Sequence, residues 1–232
     1  DRAHRLASRL AAALGPSTTV RLETFPHGGL EAVMLGQADL YVGTENHNLS
    51  FHPAFAFFAA LPGAGTFNGD DLVAWVSIGG GQDLWDELAG DWNVKPLLAG
   101  HLGRWPGLWS REPITSIADI AGRQVAAEGL ARDVLAGLGA TSVRIGADDL
   151  AKALASGEIA GAELGGPLTS VAIGLPQAAR HITGFGILEG GIALSLGIRR
   201  SLWDRLPANE QATIAAVAAA ETQLQLAEAR AH

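Results

Sequence analysis

The sequence contains no cysteine, one methionine and one tyrosine among its 232 residues. The missing cysteines exclude disulfide bonds, thiolate metal sites and cysteine nucleophiles. No apolar run approaches the roughly 18–20 residues that a membrane-spanning helix needs, and no charged-then-apolar segment at the N-terminus marks an export signal. We therefore expect a soluble chain that is not embedded in a membrane, with any export signal outside this sequence.

The charge of the chain is acidic and carries no basic run. There are 24 acidic residues against 16 lysines and arginines, which gives a formal net charge of −8. Nucleic-acid-binding proteins concentrate basic residues on one face or stripe, and this sequence has no such cluster. We expect no nucleic-acid partner. The 48% hydrophobic content is sufficient for a substantial core.

Short segments with helical and strand periodicity alternate along the chain. Leu6, Leu10 and Leu14 have helical spacing, and alternation over 18–25 predicts a strand. The middle of the chain predicts strands at 123–126, 141–145 and 159–164, with helices at 132–138 and 147–155 between them. The connections are only two to four residues long, which favours βαβ units and a parallel sheet.

Two short motifs resemble catalytic or nucleotide-binding patterns. Gly79-Gly80-Gly81 follows an apolar, strand-like run, but Leu84 stands where a dinucleotide fingerprint needs its third glycine. We expect a tight turn there. Ser195 lies near a nucleophile-elbow pattern, but Ala193 replaces the first glycine and the serine falls inside a predicted strand. A serine-dependent hydrolase stays an alternative from a different class.

Polar or bulky residues stand where predicted strands turn towards helices. Ligand clefts of α/β proteins form at such strand ends. Any one of these residues can also be an ordinary exposed loop side chain. The set comprises Asn46, His47, His101, Arg104, Trp105, Glu128, Arg132, Glu163 and Glu189.

Three segments of the chain share motifs with one protein family. Residues 52–62 read HPAFAFFAALP, 79–88 read GGGQDLWDEL followed by NVKP at 93–96, and 201–207 read SLWDRLP. In these motifs the chain resembles the solute receptors of tripartite ATP-independent periplasmic (TRAP) transporters, in the branch that binds 2-oxo acids. The middle of the chain, from Gly100 to Pro167, aligns with that branch without gaps.

The resemblance implies a two-lobed α/β fold like that of periplasmic binding proteins, with a central ligand cleft and crossing hinge strands. We expect lobe 1 at 1–98 with 188–232 and lobe 2 at 99–187. It further implies a periplasmic binding protein, not an enzyme, that captures a small organic solute such as an organic acid between its lobes. The partner would be the membrane permease of a TRAP transporter. The family's first strand and part of its C-terminal tail lie outside this sequence.

Several positions depart from the family pattern. The family's binding arginine falls on Ala126, a glutamine on Trp105 and a tryptophan on Leu164, while tyrosines that approach the ligand are replaced near Asn46 and His47. A buried carboxylate needs a paired charge, usually a bidentate arginine. We therefore expect an altered pocket that binds simple 2-oxo acids poorly.

The remaining site residues leave two interpretations of the solute open. Glu128, Glu163 and Glu189 make the site acidic, which suits a neutral or positively charged solute. Alternatively, Arg104 or Arg132 replaces the missing charge and an acid still binds. A receptor scaffold without a ligand is a third possibility.

The resemblance also bears on metal binding. Glu189 matches a glutamate beside the family's bound cation, and Trp105 removes one oxygen ligand of that cation. We expect no cofactor and at most weakly bound sodium or calcium at Glu189.

Overall fold

The computed structural model describes residues 2–25, 29–59, 61–63, 67–105, 107–183 and 190–231. The chain divides into two compact units. The first contains Asp1–Ala59, Asp70–His101 and Ala193–Ala227, and the second contains Ala60–Gly69, Leu102–Ile192 and Glu228–His232. Among the described residues, these units and the predicted lobes differ at 61–63, 67–69, 99–101, 190–192 and 228–231. The boundaries of the two lobes therefore remain a prediction.

Helices and strands alternate through most of the described chain. The helices are α1 (Arg2–Leu14), α2 (Gly29–Met34), α3 (Gly69–Ser77), α4 (Gly81–Gly90), α5 (Leu130–Gly137), α6 (Ala147–Ser156), α7 (Pro167–Ala172), α8 (Leu175–Ala178), α9 (Arg200–Trp203) and α10 (Ala208–Ala231). Short 3-10 helices cover Glu45–Asn48, Pro53–Phe58 and Ile117–Asp119. The strands are β1 (Leu40–Gly43), β2 (Val94–His101), β3 (Trp109–Ser110), β4 (Gln124–Ala126), β5 (Thr141–Val143), β6 (Gly161–Ala162), β7 (His181–Ile182) and β8 (Ala193–Arg199).

The first unit is built on a three-stranded antiparallel sheet in the order β1-β8-β2. Leu6 and Leu10 lie on one face of α1, and Ile214 and Ala218 lie on one face of α10, because residues four apart share a helix face. All four pack in one core with the sheet residue Leu196. The predicted N-terminal helix is confirmed, whereas the strand predicted at 18–25 is wrong, because no described strand pairs with that segment.

A buried carboxylate joins two helices of the first unit. Glu221 of α10 is completely buried and accepts a hydrogen bond from Arg5 Nε of α1 at 2.7 Å. Arg9, one turn further along α1, places Nη1 3.1 Å from the second carboxylate oxygen, and Gln225 Nε2 donates to the first at 3.0 Å. A buried charge is tolerated only when such partners surround it. These contacts fix α1 against α10.

The second unit contains a five-stranded sheet in the order β5-β4-β6-β3-β7. β4 pairs in parallel with β5 and β6, and β3 pairs antiparallel with β6 and β7. Val125 packs with residues of α5 on one face of β4, and Ala126 packs with residues of α6 on the other. The βαβ succession predicted from 123 to 164 is therefore confirmed.

The three-glycine segment is a turn between two helices. The apolar run before it forms α3, so the strand-like interpretation of that run is wrong, and Gly80 adopts φ 83° at the N-cap of α4. Trp75 of α3 stacks on Phe58 with ring centroids 5.1 Å apart. A Cβ at Gly81 would lie 2.8 Å from Trp75 Cδ2. The glycines allow the half-buried Trp75, not a phosphate, to approach the backbone.

This packing generates a prediction with an internal control in the same helix. We expect Gly81→Ala to lower the free energy of unfolding by about 1–3 kcal/mol, because the added methyl group overpacks the Trp75 ring. At Gly90, the other end of α4, an added Cβ would have no heavy atom within 4 Å beyond its own surroundings in the helix. Gly90→Ala should leave the free energy unchanged or raise it by up to about 1 kcal/mol. Urea unfolding measures both, and equal losses in the two variants would contradict this account of the turn.

Candidate functional site

A pocket with about 180 Å³ of open space lies within the second unit, at the carboxyl ends of β4 and β6. In the parallel register Ala126 lies opposite Val143 of β5 and Ala162 of β6. Residues that follow these three strands therefore converge at one edge of the sheet. The pocket is lined by Ala126, Ala127, Glu128, Ile145, Leu150, Glu163 and Leu164.

Backbone hydrogen bonds continue past the ends of the strands and hold the lining in place. Glu163 N donates to Ala126 O at 2.9 Å, and Ala127 N donates to Val143 O at 3.3 Å. Gly129 then adopts φ 57°, a conformation that favours glycine, and the chain turns into α5. Glu128 and Glu163 are thus placed by backbone geometry at the pocket.

The chemistry of the lining is acidic and aliphatic. Glu163 is 1% exposed and Glu128 is half-buried, and the other five lining residues are alanine, isoleucine or leucine. No arginine or lysine is among the described lining residues. A carboxylate entering this space would meet two carboxyl groups and no cationic side chain among the described lining residues, which is unfavourable.

Other predicted site residues of the second unit lie elsewhere. Arg104 and Arg132 are exposed, and neither lines the described pocket. Trp105 is 3% exposed and packs in the core cluster that contains Val125, and its Nε1 has no hydrogen-bond partner among the described residues. Glu189 lies outside the described residues. The structure thus brings together Ala126, Glu128, Glu163 and Leu164 of the predicted set.

Three predicted site residues belong to the first unit. Asn46 and His47 share the 3-10 helix Glu45–Asn48; His47 is exposed, whereas Asn46 is 8% exposed. Neither amide atom of the Asn46 side chain has a hydrogen-bond partner in the described part of the chain. His101 is 3% exposed and lies at the end of β2, opposite Ala193 of β8.

A buried polar cluster around Glu45 was not predicted from the sequence. Tyr41 Oη donates to one Glu45 oxygen at 3.0 Å, and Asn48 Nδ2 donates to the other at 2.6 Å. Burial raises the pKa of Glu45, while hydrogen bonds from Asn48, Ser195 and Tyr41 oppose that effect. Burial also raises the pKa of Tyr41, and the neighbouring carboxylate adds to the rise. Glu45 follows β1 directly, so its position after a strand is the one signal in the sequence that could have pointed to it.

The serine-hydrolase alternative finds no support in the geometry. Ser195 lies inside β8, which pairs with a strand on each side, and its Oγ donates to Gly43 O at 3.0 Å. A nucleophile elbow instead holds its serine at an exposed turn from strand to helix. Ser195 is 1% exposed and is a structural residue of the sheet.

The described residues contain neither a cluster of metal ligands nor a membrane-spanning helix. Within the described ranges, no three histidine, aspartate or glutamate residues lie close enough together to hold a metal ion. Because Glu189 is outside those ranges, the weak site expected there stays a prediction. No helix of the described chain is both long and apolar enough to cross a membrane.

Solved structures share the fold of the whole chain. A TRAP transporter solute-binding protein from Bordetella bronchiseptica RB50, solved with calcium and picolinate, matches with a TM-score of 0.89 and 24% identity over 100% of this chain and 70% of that one. A TRAP periplasmic solute-binding protein from Pseudoalteromonas atlantica T6c, solved with sodium and pyruvate, matches with a TM-score of 0.87 and 22% identity over 100% and 71%. The expected two-lobed α/β periplasmic-binding fold is confirmed.

Sequence comparison defines the class of protein more narrowly. A monocarboxylate 2-oxoacid-binding periplasmic protein of Nostoc sp. (strain PCC 7120) is 29% identical over 182 residues, which is 78% of this chain and 50% of that protein. The chain thus spans half the length of this curated relative. The family model for bacterial extracellular solute-binding protein, family 7 (DctP), matches residues 26–232. The chain belongs to this family, which is one of solute-binding proteins and not of enzymes.

The buried histidine of the first unit gives a prediction about pH. Burial lowers the pKa of His101 to about 4, with the charge of Arg2 acting in the same direction and that of Asp70 opposing it. The folded state therefore binds this proton less readily than the unfolded chain, whose histidine pKa is about 6.5. Stability from the neutral imidazole is complete above about pH 6.5 and falls as the pH drops towards 4, by about 3 kcal/mol in all.

Urea unfolding of wild type and His101→Gln between pH 4 and 7.5 isolates this contribution. Carboxylates titrate in both proteins, so the difference between the two curves reports on His101. We expect wild type to lose more stability than the variant below about pH 6.5. Parallel curves would show that the imidazole is not held neutral by the fold.

Proposed function

We propose that this chain is the solute-capturing part of a periplasmic receptor that delivers a small organic solute to the membrane permease of a TRAP transporter. The family of the chain and the fold it shares with TRAP solute-binding proteins support this role. The main structural support for this role is the pocket at the ends of β4 and β6, which is lined by Ala126, Glu128, Glu163 and Leu164 among others.

The solute that this pocket suits best is small and neutral or positively charged. Glu163 supplies a buried carboxylate, Glu128 a second one, and aliphatic side chains form the remaining walls. An ammonium or hydroxyl group can donate to carboxylate oxygens, and charge-assisted hydrogen bonds are the stronger kind. Trp105, His101, Asn46 and His47 stay predicted ligand residues.

An organic acid is the second candidate solute. Two similar proteins favour it: one is a 2-oxoacid-binding periplasmic protein, and the other was solved with bound pyruvate. Binding an acid here requires a cation that the described pocket lining lacks, and Arg104 and Arg132 are the predicted sources. Sodium or calcium near Glu189 would provide another source of positive charge.

A thermal-shift and calorimetry screen tests the proposed function directly. The panel is pyruvate, picolinate and 2-amino-1-propanol, each with and without calcium chloride. A solute at about one hundred times its dissociation constant adds roughly 2.7 kcal/mol of stability, which raises the melting temperature by several degrees. We expect 2-amino-1-propanol to give the larger shift.

The matched variant for this screen is Glu163→Gln, which keeps the size of the side chain and removes its charge. It should weaken binding of the amine about tenfold or more, because a charge-assisted hydrogen bond is lost. Tight binding of the acids alone would select the second candidate. Failure of every panel member to bind would favour a scaffold without a ligand.

Restoring family residues gives a prediction about 2-oxo acids. We expect Ala126→Arg with Trp105→Gln to improve pyruvate binding by roughly 10–150-fold over wild type. The guanidinium offers two parallel donors to the carboxylate that the present pocket cannot pair. Calorimetric titration of pyruvate into wild type and the double variant measures the change.

Two controls accompany this experiment. Trp105 is a core residue, so the urea midpoint of each variant is measured to show whether it still folds. Ala126→Arg alone is included because it leaves Trp105 in place. Adding Glu128→Pro removes a carboxylate that would otherwise pair with the new arginine. Tight pyruvate binding by wild type, abolished by Arg132→Ala or Arg104→Ala, would show that a relocated arginine already binds acids.

A further inference from the structure

The described lining of the pocket is apolar where the chain passes from β5 into α6. This part of the lining consists of Ile145 and Leu150, which we call the aliphatic wall. The two carboxyl side chains of the lining, Glu128 and Glu163, follow β4 and β6 instead. The strand order β5-β4-β6 places β5 at the edge of the sheet. The wall and the carboxyl groups therefore come from different strands at one end of the sheet.

Local hydrogen bonding and packing fix the two wall residues in place. Leu150 N donates to Gly146 O at 3.1 Å, which closes the first turn of α6 directly after Ile145. Leu150 is buried in the core cluster that contains Ala126, and Ile145 packs against the same cluster. Arg144, in contrast, is exposed. The aliphatic wall is therefore held by the fold of the second unit itself.

The two wall residues differ in how much of their surface the protein covers. Leu150 is 1% exposed, whereas Ile145 is half-buried. Part of the Ile145 side chain is thus available to a bound molecule. Neither side chain can donate or accept a hydrogen bond, so the favourable partner is a carbon chain that displaces water from this surface. Each methylene group fully buried in this way strengthens binding about fourfold.

We propose that the aliphatic wall is the specificity determinant of the solute site and selects amino alcohols that carry a short alkyl chain. This inference rests on the proposed function and adds which end of the solute faces which part of the lining. The ammonium and hydroxyl groups face Glu128 or Glu163, because an aliphatic side chain cannot accept their hydrogen bonds. The alkyl chain then lies against Ile145 and Leu150.

The first test is a homologous series of solutes with one head group. Wild type is titrated calorimetrically with 2-aminoethanol, (S)-2-amino-1-propanol and (S)-2-amino-1-butanol, which share the ammonium and hydroxyl groups and differ by one carbon at each step. Affinity should rise about two- to fourfold with each added carbon, or roughly 4- to 16-fold across the series. Equal affinities for the three amino alcohols would overturn the inference.

The second test changes the wall. Ile145→Thr keeps a branched Cβ and removes apolar surface, so the rise in affinity across the series should fall to about twofold or less. Because this ratio compares solutes on one protein, a general loss of stability does not produce the change. Ile182→Thr is the matched control, since Ile182 is 45% exposed in β7 and does not line the described pocket. It should keep the rise seen in wild type.

The third test changes the head-group side of the lining. Glu163→Gln should weaken all three amino alcohols by a similar factor and leave the rise across the series as in wild type. Loss of the rise in Glu163→Gln, with the rise intact in Ile145→Thr, would reverse the proposed orientation and overturn the inference. Each variant is titrated at a temperature where its urea curve shows it folded.

Leu150 is a core residue, so its contact with the solute is tested without a substitution. Nuclear Overhauser effects should connect the ethyl group of (S)-2-amino-1-butanol to the methyl groups of Leu150 and Ile145. Effects from the ethyl group to other pocket methyls, with none to these two residues, would overturn the placement of the alkyl chain.

The outcomes distinguish this inference from the proposed function. A wild type that binds neither the amino alcohols nor pyruvate and picolinate overturns the proposed function, and this inference with it. A wild type that binds only the acids keeps the receptor role and overturns the inference. Where the amino alcohols bind, a rise in affinity that survives Ile145→Thr unchanged overturns the inference alone.

Discussion

The pocket of the second unit depends on the parallel hydrogen bonding of β4 to a strand on each side. Parallel pairing sets the carboxyl ends of β4, β5 and β6 at one edge of the sheet. The bond from Glu163 N to Ala126 O continues that pairing by one residue and places an ionisable side chain beside a very small one. Ala126 and Glu163 both line the pocket, so the register of the strands determines which side chains form its wall.

Both units bury carboxylates, but they compensate the cost of burial in different ways. Glu221 is surrounded by the guanidinium groups of Arg5 and Arg9 and joins α1 to α10. Glu45 has neutral donors instead, and burial raises its pKa. A hydrogen bond from a charged guanidinium to a carboxylate is stronger than one from a neutral donor. Glu221 therefore holds α1 against α10, and Glu45 holds the turn that follows β1 through Tyr41 and Asn48.

The sequence predicted some parts of this molecule well because their signals are local. Periodicity identified the βαβ succession around β4, and strand-end position identified Ala126's neighbours Glu128 and Glu163. The apolar run that forms α3 was misassigned, because a short apolar run does not distinguish a strand from a buried helix. Ile145 and Leu150 were missed since a pocket wall and a core use the same aliphatic side chains. The hydrogen bonds around Glu45 join residues only three to seven positions apart, but the residue types alone do not show that Glu45 is buried.

The most direct measurement follows side-chain methyl groups by NMR during titration with 2-amino-1-propanol. The account predicts that chemical-shift changes are concentrated at the pocket methyls of Ala126, Ala127, Ile145, Leu150 and Leu164. Methyls of the first unit's core, such as those of Leu10 and Ile214, serve as the reference. Saturable shifts at the pocket with little change in that core would support the assignment of the solute site. Saturable binding that leaves the five pocket methyls unchanged would contradict it.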